Sequence, residues 1–147
     1  MAIWDWALAV YDRPGVPEAT LALQDLHGQN TSYLLWAVHT RTTDRAILVR
    51  AAATSRTWDQ TALGPLRTVR RALKPSQPPV PDAARAQLRD AVKQLELAAE
   101  KLLMETLENF GHVAGNASIF EVLQAATMAW GAPAPDDALA GLATALE

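Results

Sequence analysis

A chain of 147 residues, half of them hydrophobic and a fifth charged, is long enough to bury a sizeable core and has the make-up of a globular domain. It contains no cysteine, which excludes disulfides, thiolate catalysis and cysteine-ligated metals. Its net charge of −3 argues against a general nucleic-acid binder, no apolar run reaches the ~18 residues of a membrane helix, and Asp5 interrupts the apolar start, so no signal peptide is expected.

Alanine and leucine dominate, and no stretch keeps the period-two alternation of a strand. The expected class is all-α, a compact bundle of about seven or eight helices. Trp4, Ala7, Leu8 and Tyr11 recur at i, i+3, i+4 and i+7, one helical face, with Ile3 and Val10 widening it. Arg13-Pro14-Gly15 ends that helix, and Pro17 opens the next in a first turn where proline is tolerated. The second helix runs to Leu26 or His27, with Gly28 as its left-handed cap. Asn30, Thr31 or Ser32 can cap a third helix carrying Leu34, Leu35, Trp36 and Val38. Three helices on loops this short pack as neighbours, and Trp4, Leu8, Leu35 and Trp36 are expected to be buried together.

Gln24 to Asn30 is the most polar punctuation in this apolar region. Asp25 and His27 could form a catalytic or metal pair, but residues two apart on a helix do not face each other, and no metal-binding spacing accompanies them. Helix capping is the simpler reading, with His27 near a C-terminus that favours its charged form. Asp25, His27 and Asn30 remain ligand candidates in this turn.

Thr43 or Asp44 can cap a fourth helix through Ala53, which takes in the strand-like run Ala46 to Val49. Ser55 to Leu73 follows, with Trp58, Leu63, Leu66, Val69 and Leu73 as its apolar set and Gly64-Pro65 kinking or splitting it. Residues 41–74 carry Arg41, Arg45, Arg50, Arg56, Arg67, Arg70, Arg71 and Lys74 against Asp44 and Asp59, a net of +6 in a chain of −3. Such asymmetry suggests a surface for an acidic protein partner or an anionic small molecule. Arg67, Arg70, Arg71 and Lys74, at spacings of three and four, converge on one side. The competing reading has these cations paired with the acidic remainder of the chain.

Lys74 to Pro81 holds four prolines in eight residues and reads as a stiff linker. One helical domain is expected over residues 1–147: residues 1–74, the linker 75–81, and a second helical half, 82–147. Asp82 fits as cap of a long helix from about Ala83 to Phe110, roughly 40 Å at 1.5 Å per residue. Leu88, Ala91, Val92, Leu95, Ala98, Ala99, Leu102 and Thr106 are its expected buried stripe, with Lys93–Glu96 and Lys101–Glu105 paired outside. Gly111 to Gly115 is a loop carrying His112, read as a surface residue. Asn116 can cap the next helix, with Ile119, Leu123, Ala126 and Trp130 on one face. Pro135 or Asp136 opens a last helix with Leu139, Leu142, Ala143 and Leu146 inward.

The pattern WDWALAVYxRPGV, then LALQDxHGQNxxxLLWA, then Trp58 and PLRxVRRALK, spanning roughly residues 3 to 74, resembles a family of small uncharacterised proteobacterial proteins, classed as a domain of unknown function. The resemblance implies a bacterial, cytoplasmic protein and carries no activity, cofactor or catalytic residue. No cofactor and no metal are expected, nucleic acid and membrane are not expected as partners, and no oligomeric state can be read. The absence of a catalytic constellation favours a binding or adaptor module using the basic helix face over an enzyme. The alternative is an anionic-ligand site, perhaps enzymatic, between the helical halves, drawing on Asp5, Asp25, His27, Asn30 and the arginines.

Overall fold

The computed structural model describes residues 1–111 and 115–147, so the expectation for His112 lies outside the described residues. The described residues form helices and connecting turns with no strand. The elements are α1 (Ile3–Tyr11), α2 (Val16–His27), α3 (Thr31–Thr40), α4 (Arg45–Trp58), a π-helical turn (Asp59–Leu63), α5 (Gly64–Ala72), α6 (Asp82–Glu108), α7 (Ile119–Trp130) and α8 (Asp136–Leu146). The chain is all-α, as its periodicity predicts.

The centre is α3. Ser32 through Val38 and Thr40 are all buried, and α3 packs against α1, α2, α4, α6 and α7. A helix apolar on every side has to lie in the middle of a bundle, because any exposed face would leave hydrocarbon in water. The turn that leads into it is closed locally: Gly28 caps α2 with φ +61°, and the Tyr33 N–H donates to Asn30 Oδ1 at 2.9 Å. The Tyr33 hydroxyl donates to the Ala126 carbonyl at 2.8 Å, and its ring lies 6.1 Å from that of Trp36 and 5.3 Å from that of Trp130. This aromatic cluster joins α3 to α7.

Leu35 and Trp36 are completely buried, but Trp4 is only partly buried and Leu8 is 43% exposed. The inward side of α1 is Ile3, Ala7 and Val10, so the predicted stripe is rotated. Leu8 instead lines a groove with Leu21 of α2. Around the bundle, α8 closes against α2, with Arg13 Nη1 donating to the Leu146 carbonyl at 2.7 Å. Leu139, Leu142, Ala143 and Leu146 face inward as expected. The cap of α7 is Ser118 rather than Asn116: Ser118 and Glu121 exchange reciprocal hydrogen bonds, a capping box.

Two boundaries differ from the sequence expectation, each for a local reason. No break separates Ala53 from Ser55: α4, the π turn and α5 run on as one rod from Arg45 to Ala72. Proline in a helix removes a donor and crowds the preceding turn, and here the wider π turn lies immediately before Gly64-Pro65. The Gly64 N–H reaches back to the Asp59 carbonyl. A Cβ at position 64 would meet that same oxygen at 2.8 Å, so this close approach requires glycine. At the start of α6, Pro81 holds the cap position and Asp82 begins the helix.

The proline-rich segment folds α5 back onto α6, which pack against each other. Ser76 Oγ donates to Asp82 Oδ1 at 2.8 Å and Arg85 Nε to the Leu73 carbonyl at 3.1 Å. The buried side of α6 is Val92, Ala99, Leu103, Met104 and Leu107. Leu88, Leu95 and Leu102, expected inside, are more than half exposed.

Candidate functional site

The basic region is tied to the rest of the chain almost throughout. Arg41 Nη1 donates to the Ala117 carbonyl, the Arg50 guanidinium lies 4.9 Å from the Phe110 ring, and that of Arg56 lies 4.6 Å from the Trp130 ring. On α5, Arg67 pairs with Asp59 at 3.4 Å, Arg70 with Glu96, and Arg71 with Asp25 at 3.0 Å. Lys74 is exposed and has no ion pair among the described residues. The sequence charge asymmetry is therefore largely intramolecular, and the competing reading describes the geometry better than an open basic face.

The turn Gln24 to Asn30 is a structural joint. Asn30 caps α3. Gln29 is buried and its Nε2 donates to the Ala132 carbonyl at 2.7 Å, while Trp130 Nε1 donates to the Gly28 carbonyl at 3.0 Å. His27 lies in the last turn of α2, Asp25 faces Arg71, and Asp5 stands exposed on α1. Asp25 and His27 have no mutual contact, as their two-residue separation predicts. No group of three or more potential metal ligands occurs among the described residues.

What the fold does bring together is a groove of about 680 Å³ between α1 and α2 on one side and α5 and α6 on the other. Its polar lining includes Tyr11, Arg67, Arg70, Glu96 and Glu100, and its apolar walls include Leu8, Leu21 and Leu97. A second hollow of about 490 Å³, between α4 and α6, is walled by Ala53, Trp58, Leu102 and Leu103 and has no ionisable group. The larger groove is the better candidate, because it combines apolar walls with convergent charges and perturbed titrations.

Two groups in that groove are held away from their ordinary titration. Burial pushes the Glu100 carboxyl up to about 7; repulsion from Glu96 adds to this, and attraction from Arg67 and Arg70 only partly offsets it. Burial also raises Tyr11 well above the usual phenol range, with the Glu100 charge adding to the effect, so the phenol stays neutral. Glu96 is engaged by Arg70, whereas Arg67 makes only a 3.4 Å contact with Asp59. A guanidinium has five donors in a planar fork, which leaves Arg67 with unused capacity toward the groove. The arrangement can hold an acidic head group and exchange a proton near neutrality. The Thr20 hydroxyl on the wall is already directed to the Val16 carbonyl at 2.8 Å.

Of the sequence candidates, Arg67 and Arg70 line this groove. Arg71 and Asp25 form a pair, and Lys74, His27 and Asn30 are not among the groove's lining residues. Tyr11, Glu96 and Glu100 were missed. Glu96 and Glu100 stand at i and i+4, a spacing that sets like charges against each other on a helix. That spacing, matched against Arg67 and Arg70 at i and i+3, was the available signal. The expected Lys93–Glu96 pair does not form, because Arg70 takes Glu96 and Lys93 turns to Asp90 at 3.9 Å; Lys101–Glu105 is present at 3.8 Å.

A family model for a protein of unknown function (DUF2390) matches residues 2–107. The match extends beyond the motif-bearing first 74 residues to the last turn of α6, so every residue named in the groove lies within it. No curated protein and no solved structure matches the chain.

Proposed function

The chain belongs to the DUF2390 family of proteins of unknown function, and from that premise we propose that it is a non-catalytic binding protein whose groove between α1–α2 and α5–α6 takes a small amphiphilic acid. The observation that carries this reading is the inward turn of Arg67 and Arg70 into an apolar-walled groove beside Glu100. A carboxylate or phosphate head would face Arg67, which can offer two parallel N–H donors. The aliphatic part would lie along Leu8, Leu21 and Leu97. An adaptor role through the basic face has weaker support, since three of its four cations are paired within the chain.

Glu100 makes the reading testable. Its protonated form is neutral and tolerates an acid nearby, whereas its carboxylate repels one, so affinity should fall as pH rises through about 7. Titration calorimetry with hexanoate and hexyl phosphate at pH 6 and pH 8 is the direct test. Saturable binding is expected and is lost in Arg67→Ala; hexanoate, which stays ionised across this range, should bind more strongly at pH 6, with that pH dependence abolished in Glu100→Gln. Absence of saturable binding at either pH, or full binding by Arg67→Ala, would sink the proposal.

A further inference from the structure

The leucines of α6 that were expected in the core define a second surface. Leu88, Leu95 and Leu102 are 56%, 56% and 53% exposed and recur every seven residues. Ala84, Ala91 and Ala98 stand four residues before each of them and are exposed as well. The resulting seam alternates large and small side chains at the spacing of a helix–helix contact. It runs from Ala84 to Leu102 and so is about 27 Å long at 1.5 Å per residue. Beside its C-terminal half lies the apolar hollow of about 490 Å³ walled by Ala53, Thr57, Trp58, Leu102 and Leu103.

We infer that this face is the seam of a homodimer in which α6 packs antiparallel against α6 of a second copy, seating the partner's N-terminal half of α6 in the hollow beside α4. A two-fold alignment with the dyad between Ala91 and Leu95 sets Leu88 against Ala98, Leu95 against Ala91, and Leu102 against Ala84 of the other copy. Each large side chain then meets a small one at every layer. A parallel alignment would stack leucine on leucine and alanine on alanine, alternately crowding and opening the contact, and close-packed interfaces do not tolerate such gaps.

Charge and area are consistent with the same occupant. The outer flank of the seam is Gln87, Gln94 and Lys101; the antiparallel alignment places Lys101 near Gln87 of the second copy and Gln94 near its own equivalent. No like charges are opposed, and Lys101, the charge on the flank, already pairs with Glu105 of its own helix at 3.8 Å. A footprint about 27 Å long, and at most two helix widths of about 10 Å across where α4 walls the hollow, gives at most roughly 500 Å² per copy. The pair then reaches at most about 1,000 Å², the low end for a specific interface. This inference does not depend on the ligand-binding groove, which lies on the other flank of α6, where Leu97 and Glu100 point.

Sedimentation equilibrium of the full chain at roughly 100 µM, where a Kd of about 10 µM would place about four fifths of the chain in dimers, is expected to return a predominantly dimeric mass. Leu95→Glu should return a monomer with unchanged helical circular dichroism, because Leu95 is mostly solvent-facing in the isolated chain. The alignment is tested by mixing two single variants, Gln87→Cys and Lys101→Cys, under oxidising conditions. Mixed cross-links should far exceed self-links. A monomeric wild type would overturn the inference and hand the face to a different partner. A dimer that survives both Leu95→Glu and Ala91→Glu would place the interface elsewhere, and self-links in excess would overturn the antiparallel alignment.

Discussion

Two helices of equal sequence prominence are held in place by opposite physics. Helix α3 buries Ser32 through Val38 and contributes two of the largest fully enclosed side chains, Tyr33 and Trp36. Helix α5 has no fully buried residue, and its arginines reach Asp25, Asp59 and Glu96 on other elements. Apolar burial stabilises in proportion to area and cannot be screened. Ion pairs between partly exposed groups contribute little net stability and weaken with salt. The first helix is therefore built for stability, and the second is free to present charge to a groove.

That contrast predicts a steep gradient of mutational effects. Trp36→Ala removes a completely buried indole and should lower unfolding free energy by about 3–5 kcal/mol in urea titration, a typical cost for a large-to-small core change. A loss below about 1 kcal/mol would mean that α3 is not the centre of the core.

Glu100 gives an intermediate effect with a definite pH window. Its folded pKa of about 7 lies above the ordinary 4.5, so the folded chain holds the proton more tightly. The stability this provides is complete below about pH 4.5 and is lost as pH rises through 7. Glu100→Gln should flatten that decline and make the variant more stable than the parent at pH 8, by up to about 3 kcal/mol. Thermal melts at pH 5 and pH 8 measure it, and parallel pH profiles for parent and variant would show that Glu100 is not the group responsible.

The smallest effect belongs to Arg71. Its pair with Asp25 is 55% and 40% exposed, so Arg71→Ala should change stability by no more than a few tenths of a kcal/mol and leave acid binding in the groove intact. Comparable losses of stability from Arg71→Ala and Trp36→Ala in the same urea titrations would erase the distinction between the two helices.

Much of this architecture was legible in local chemistry. Period, caps and breakers predict the all-α class, the burial of Leu35 and Trp36, Gly28 and Asn30 at the second turn, and the inward face of α8, because each depends on residues within a few positions of one another. The candidate site was half legible. Arg67 and Arg70 stood out by charge and spacing, whereas Glu96, Glu100 and Tyr11 join them only because α5 folds back along α6 and α1 lies alongside.

What the sequence determined alone was which segments are helical and which carry charge. Tertiary structure decided which side of each helix faces in. A π turn adds a residue to one turn and so rotates the downstream face by about 100°; after Asp59–Leu63, Val69 is left 46% exposed while Arg70 lies partly enclosed against Glu96. On α6, a single long helix offers more than one apolar side. The packing of α1, α3 and α5 against it selected Val92, Ala99 and Leu103 and left Leu88, Leu95 and Leu102 to solvent. Hydrophobic periodicity specifies that a face exists, and the neighbours that cover it are specified only by long-range contacts.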